Sequence, residues 1–138
     1  MITDTDLWAR LLTLHAHVES RLAQALQRRH GLGLSEFRAL GFLAGAPDGE
    51  LRMQDLAGRL GLNQSSVTRL VGRLDAAGLA YRDLCPDDKR GVYAVLKDDG
   101  RARLDAARAT YEKVLTGALD EAADQHPDLR ALLGAVRG

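Results

Sequence analysis

Cysteine is almost absent from this 138-residue chain, and aromatic residues make up only 4% of it. The single thiol, Cys85, excludes an intrachain disulfide. Asp83, Asp87 and Asp88 lie around it in sequence, the opposite of the positive surroundings a sensor thiol needs. A small half-buried side chain is its simplest reading, with an intermolecular disulfide as the alternative. Scarce aromatics leave Leu, Ala and Val to build the core, which favours packed helices over a sheet sandwich. No apolar run is long enough to cross a bilayer, and no basic-then-apolar start marks a signal peptide. A cytoplasmic protein with no membrane partner is therefore expected. Net charge is lacking too, with 19 basic residues against 19 acidic ones. That excludes a strongly basic coat for nucleic acid, but not a site-specific reader whose charge is unevenly placed. From Arg52 to Arg103 there are ten Lys or Arg against seven Asp, a local excess in the middle of the chain.

What is present is helical periodicity broken by glycine. A first helix is expected from Asp6 to about Arg29, with Thr3 or Thr5 as its cap. Along it Leu7, Leu11, Leu14, Val18, Leu22 and Leu26 form a seam suited to another helix, within the chain or across a dimer. Gly31 and Gly33 end it. Ser35 is expected to cap a second helix that turns Phe37 and Leu40 inward and stops at Ala44-Gly-Ala-Pro-Asp-Gly. Glu50-Leu-Arg suggests a single bridge to a small sheet. A third helix spans about Met53 to Leu60, with Leu56, Ala57 and Leu60 inward, and Gly61 breaks it. Asn63 caps a fourth helix, which Gly78 ends. Leu79 to Leu84 and Val92 to Leu96 then form a hairpin around a polar turn. A long helix carries Leu104, Ala107, Tyr111, Leu115, Ala118 and Ala122 on one side, and Pro127 opens a short last helix.

The fourth helix carries the most informative face. Val67, Leu70, Val71 and Leu74 follow the i, i+3, i+4, i+7 spacing of a buried stripe. Ser65, Arg69 and Gly72 fall opposite, with Ser66, Thr68 and Arg73 on the flanks. No acidic residue lies between Gln64 and Val71. Solvated faces ordinarily mix both signs. Hydroxyls approach phosphates closely and Arg forks onto guanine or phosphate, so this face suits a DNA major groove. The two helices from Met53 to Gly78 thus suggest a helix-turn-helix.

Asp55-Leu-Ala-Gly-Arg-Leu-Gly-Leu, Ser66-Val-Thr-Arg-Leu-Val-Gly-Arg-Leu-Asp-Ala-Ala-Gly-Leu, Arg82, Asp88-Lys-Arg90, and Val95-Leu96 with Gly100 occur here in one order and spacing. In these residues the chain resembles the MarR family of winged helix-turn-helix transcriptional regulators over nearly its whole length. Two positions depart from the family's habit. Arg52 or Met53 stands where Ser or Thr often opens the third helix, and Lys97 stands where Thr usually follows the wing strand. Both alter helix caps.

The resemblance implies a mainly α fold with a small β-hairpin wing. Residues 1–34 would form an N-terminal dimerisation helix, 35–97 the winged helix-turn-helix domain, and 98–138 the C-terminal dimerisation helices. It implies a homodimer that binds a roughly palindromic double-stranded DNA operator, as a repressor, without a cofactor. Gln64, Ser65, Thr68 and Arg69 would face the groove. Ser66 and Arg73 suit phosphates, although an ion pair with an acid beside Asp75 or in the wing is the competing role for Arg73. Lys89 would meet the DNA backbone and Arg90 the minor groove. Arg82 and Asp88 would hold the wing's shape. Gly72 would permit close approach of DNA, or is simply tolerated. A small aromatic or anionic effector would lodge near Trp8, Leu12, His15, Arg38 and Phe42, which otherwise serve as core or interface residues.

Three other classes find less support. No Gly-rich phosphate loop or Ser-His-Asp context suggests an enzyme. A metal- or redox-responsive regulator of the same fold would need ligands, but His15 and His17 point to different helix faces. A winged-helix protein-interaction module has no use for the acid-free face or the basic wing tip.

Overall fold

Glycine, proline and apolar spacing together divide the chain into α1 (Asp4–His30), α2 (Leu34–Ala44), a 3₁₀ turn (Pro47–Gly49), β1 (Glu50–Arg52), α3 (Met53–Leu60), α4 (Gln64–Ala76), β2 (Ala80–Leu84), β3 (Val92–Leu96), α5 (Asp98–Gln125) and α6 (Pro127–Arg137). The structure is a computed structural model that describes residues 1–84 and 91–138. Cys85, Asp88, Lys89 and Arg90, and with them the expected wing tip, lie outside the described residues. Among the described residues no helix is long and apolar enough to cross a membrane. The chain forms two compact units, Met1–Gly31 with Ala109–Gly138, and Leu32–Arg108. The start of α5, through Arg108, therefore groups with the second unit, past the boundary expected at residue 97.

In the first unit, α1 begins with a reciprocal cap. The Asp6 amide donates to Thr3 Oγ1 at 3.1 Å, while the Thr3 amide and hydroxyl donate to Asp6 Oδ2 at 3.2 and 2.8 Å. These two bonds from Thr3, hydroxyl first, hold the Asp6 carboxyl below the usual carboxylate range. Gly31, at φ 63°, closes the other end in the left-handed conformation that glycine adopts without strain. The seam on α1 is unevenly covered. Leu22 and Leu26 are buried, Leu11, Leu14 and Val18 half-buried, and Leu7 exposed. Ala118 and Ala122 of α5 and Leu129 of α6 complete this unit's buried positions. Ion pairs tie the helices at their rims: Arg10 to Asp128 at 2.9 Å, Arg21 to Glu121 at 2.9 Å, and Arg137 to Asp120 at 2.8 Å. Each is partly exposed and contributes at most about 1 kcal/mol.

The second unit is built around α4, whose Val67, Leu70, Val71 and Leu74 are all buried, as their spacing predicts. Both helices of the helix-turn-helix end in the same device. At Gly78, φ 76°, the glycine amide donates to Asp75 O and the Leu79 amide to Leu74 O, both at 2.9 Å. At Gly61, φ 68°, the Leu62 amide donates to Ala57 O at 3.0 Å. This paired closure satisfies carbonyls that a helix end would otherwise leave open. It also explains why β2 starts at Ala80 and not at Leu79. Leu79 gives its N–H to the helix, while its carbonyl accepts from Lys97 N at 3.0 Å.

Three antiparallel strands form the sheet, in the order β1-β3-β2. The stretch expected to make one bridge is a strand that pairs at three positions, Glu50 with Val95, Leu51 with Ala94 and Arg52 with Tyr93. β2 pairs with β3 from Ala80 with Leu96 to Leu84 with Val92, the expected hairpin. A second correction concerns Ser35, which sits inside the first turn of α2 and does not cap it. Gly33 is the N-cap, and Glu36 curls back over it so closely that a Cβ on Gly33 would lie 3.2 Å from Glu36 Oε1. A carboxylate in the first turn is favoured by the helix dipole, so Glu36 serves this end where no hydroxyl cap does. Leu60, expected inward, is half-buried.

Candidate nucleic-acid interface

The polar face of α4 is held from its first residue. Asn63 Oδ1 accepts from the Ser66 amide at 2.8 Å and from the Ser65 hydroxyl at 2.9 Å. Thr68 Oγ1 donates to Gln64 O at 2.9 Å, one turn back. The hydroxyl protons of Ser65 and Thr68 are thus engaged within the helix, and both residues offer oxygen lone pairs outward. Arg69 is exposed, and only a long contact of 3.5 Å from one of its terminal nitrogens reaches Ser66 Oγ. Most of its guanidinium is left to donate to something outside the protein. Gln64, Ser65, Thr68, Arg69, Gly72 and Arg73 are all exposed and Ser66 is half-buried, so the expected readers share one surface.

Arg73 is committed differently. Its Nε lies 3.4 Å from Glu36 Oε1, so an ion pair within the chain forms, but with Glu36 of α2, a partner other than the expected acids. Gly72 has no packing reason to be glycine, because a Cβ built there meets no atom within 4 Å. On β2, Arg82 is exposed and lies opposite Ala94; its expected companion Asp88 is outside the described residues.

Arg52 has a role that the sequence alone hid. At the N-cap of α3 it makes no side-chain cap. Instead its Nε donates to Tyr93 Oη at 3.1 Å, and its guanidinium lies 5.7 Å from the Tyr93 ring centre. This cation–π contact and hydrogen bond join β1 to β3 near the loop end of the hairpin, where Tyr93 pairs with Asp83. A hollow of about 200 Å³ opens beside it, lined by Gln54, Gln64 and Val92 among others.

The residues assigned to an effector divide between the two units. Trp8, 62% exposed, Leu12, 50% exposed, and His15 share one face of α1, while Arg38 and Phe42 share one face of the α2 helix and are half-buried. His15 Nε2 lies 3.6 Å from Glu19 Oε1. His17 Nε2 is 3.2 Å from Glu121 Oε2, within ion-pair range but off the line of a hydrogen bond. Among the described residues no group of three or more His, Cys, Asp or Glu is arranged to hold a metal.

The sequence model of the MarR family matches residues 30–91, which span α2, α3, α4 and the strands up to the start of β3. A MarR family transcriptional regulator from Silicibacter pomeroyi superposes with a TM-score of 0.73 at 30% identity, covering 99% of this chain and 96% of that one. The chain belongs to the MarR family. Sco3205, a MarR family transcriptional regulator from Streptomyces coelicolor solved in complex with DNA, superposes with a TM-score of 0.80 at 27% identity, over 99% of this chain and 89% of that one. YkoM of Bacillus subtilis, an uncharacterized HTH-type transcriptional regulator, is 36% identical over 78 residues, 56% of this chain and 49% of that protein. The chain spans about half to three fifths of the length of the curated relatives it matches. The MarR family is one of transcriptional regulators and not of enzymes, and its winged helix-turn-helix corresponds here to α3, α4 and the β2–β3 hairpin.

Proposed function

We propose that this MarR family member is a transcriptional regulator that binds double-stranded DNA site-specifically, as a homodimer on a pseudo-palindromic operator. The exposed, acid-free face of α4 from Gln64 to Arg73, fixed by the Asn63 cap, carries this reading. Phosphates repel carboxylates, so a face without them, with Arg69 outward, matches a groove wall. The relative Sco3205 was solved with DNA. The wing-tip residues Lys89 and Arg90 would extend the contact to the backbone and minor groove, with Arg82 on β2 holding the wing's shape.

Dimerisation draws support from the uneven seam. Leu7, Trp8 and Leu12 on α1 and Val136 on α6 are exposed apolar side chains of one unit, and a second copy of the chain would cover them. Repression is the reading for the outcome of binding, and a relative in Bacillus subtilis, YetL, is named a repressor. Release by a small aromatic or anionic effector that meets Trp8, Leu12, His15, Arg38 and Phe42 completes the proposal. As the only tryptophan, Trp8 reports such binding by its fluorescence.

The deciding experiment is fluorescence anisotropy of the purified protein with its own upstream intergenic duplex and with a scrambled duplex, across several salt concentrations. Tight binding to the first alone, with two chains per duplex by light scattering, is the expected result. Equal and weak binding to both duplexes rejects a site-specific regulator.

A further inference from the structure

Three arginines converge on a hollow in the first unit, apart from the residues proposed above to meet DNA. The hollow holds about 320 Å³ and is lined by Arg21, Gln24, Ala25, Arg28 and Arg29 of α1 and by Val114 of α5. We propose that it binds a small multivalent organic anion, with carboxylate or phosphate groups at the ends of a short body.

The helix repeat sets the geometry. Arg21 and Arg28 are seven residues apart, within about 20° of the same direction and about 10.5 Å apart along the axis. Ala25 lies between them, and its small side chain leaves the space that a longer one would fill. Gln24 adds an amide on one flank and Arg29 a third guanidinium on the other. Val114 forms an apolar wall opposite. The volume sits at the lower end of the range of about 300–1,000 Å³ for small-molecule sites.

The charges there are incompletely matched. Arg21 is paired, one terminal nitrogen lying 2.9 Å from Glu121 Oε1. Among the described residues neither Arg28 nor Arg29 has a carboxylate partner, and both are exposed. Basic residues in a last helical turn complement the helix dipole, which accounts for Arg28 and Arg29 by themselves. That effect fades within one turn, so it does not account for Arg21 two turns upstream, or for the hollow between. Guanidinium forks match the paired oxygens of carboxylate and phosphate, and two forks at this spacing favour a ligand charged at both ends. The proposal is independent of the DNA-binding reading, because the site lies wholly within one unit and is assayed without DNA.

The test uses the full chain and thermal unfolding with citrate, inorganic phosphate and acetate, each matched in ionic strength by sodium chloride. Citrate is expected to give a saturable rise in melting temperature and a calorimetric binding isotherm, and acetate to give neither. A response to inorganic phosphate of similar size would point to phosphate esters, and a response to citrate alone to polycarboxylates. Arg28→Ala with Arg29→Ala, both exposed, should weaken binding at least about tenfold. Ala25→Leu should block it while keeping every charge. A citrate response no larger than that of matched sodium chloride, or one unchanged in the arginine variant, overturns the proposal. So does a loss of duplex DNA binding in that variant with no small-anion response in the parent, which would make the patch a DNA backbone contact.

Discussion

Arg73 Nε lies 3.4 Å from Glu36 Oε1, which joins the flank of α4 to the first turn of α2. The pair is asymmetric: the Arg73 side chain is 58% exposed and that of Glu36 only 21%. As a surface ion pair it stabilises the fold by less than about 1 kcal/mol. Its larger consequence is for DNA, because an arginine neutralised within the protein displaces fewer counterions from a duplex. Glu36→Gln is expected to tighten non-specific DNA binding and steepen the salt dependence, log K against log salt, by about 0.9. Arg73→Ala alone should change binding little, yet abolish the gain when combined with Glu36→Gln. Anisotropy on the four variants measures this cycle, and a weaker-binding Glu36→Gln would mean that the carboxylate aims Arg73 at the DNA.

The Asn63 cap separates stability from recognition. Asn63→Ala removes the acceptor for the Ser66 amide and should cost about 1 kcal/mol in thermal or urea unfolding. Asn63→Asp keeps an acceptor and adds a negative charge at a helix N-terminus, where the dipole favours it. Its melting temperature should match or exceed that of the parent, while DNA affinity falls because the charge sits at the edge of the groove face. Parallel changes in both properties would show that the cap acts only through folding.

The legible parts of this molecule are those with a repeat or a forced conformation. The buried stripe of α4 follows from its spacing, and the helix ends at Gly31, Gly61 and Gly78 from a left-handed turn that glycine enters freely. β1 was less legible because three residues are too few to show a strand period, and its pairing is set by β3 more than 40 residues later. Ser35 carries the chemistry of a cap, but Gly33 is the N-cap and the helix begins at Leu34, so the hydroxyl falls two positions too late. The roles of Glu36 and Arg52 are not legible in sequence because their partners, Arg73 and Tyr93, are distant in the chain and chosen by packing. The α1 seam shows the same boundary: spacing puts Leu7 and Leu22 on one stripe, but it does not say that one is exposed and the other buried.

Two glycines inside helices should respond oppositely to alanine. A Cβ on Gly100 would collide with the Leu79 carbonyl oxygen and lie 2.9 Å from Leu96 Cδ1. The Leu79 carbonyl is fixed by Lys97 N, and the Leu79 amide by the end of α4, so the backbone has little room to withdraw. Gly100→Ala should destabilise by about 3 kcal/mol or more, at the top of the range for overpacking and against a helix preference of about 1 kcal/mol for alanine. Gly72 faces open space, and Gly72→Ala should stabilise by about 0.5–1 kcal/mol. Urea unfolding of both variants checks the opposite signs.

Asp6 gives α1 a defined response to acid. Its carboxyl is held below the usual range by the hydroxyl and amide of Thr3. A carboxyl depressed in the folded state contributes stability above its unfolded pKa, and that contribution is lost as pH falls through the folded value. The first turn of α1 should therefore fray on acidification below the ordinary carboxylate range, and remain formed at neutral pH. Thr3→Val removes the hydroxyl that donates to Asp6 and accepts from its amide, but keeps the backbone amide, so it should weaken this pH dependence without abolishing it. Amide exchange in the first turn of α1, followed against pH in both proteins, detects it.

Arg69 is the remaining strong donor on the α4 face, because the protons of Ser65 and Thr68 go to Asn63 Oδ1 and Gln64 O, and Arg73 is shared with Glu36. If it forks onto a base, Arg69→Ala should cost about 1–3 kcal/mol on the specific duplex and relax preference at one base position. Because the side chain is exposed and its hydrogen bond to Ser66 is long, the melting temperature should not move. Arg69→Lys keeps the charge but loses the planar fork, so it should restore non-specific affinity and not the discrimination. Binding of each variant to the specific duplex and to single-base substitutions of it distinguishes the two roles. An equal loss on all duplexes, recovered in full by lysine, would place Arg69 on a phosphate and leave sequence reading to the hydroxyl lone pairs of Ser65 and Thr68.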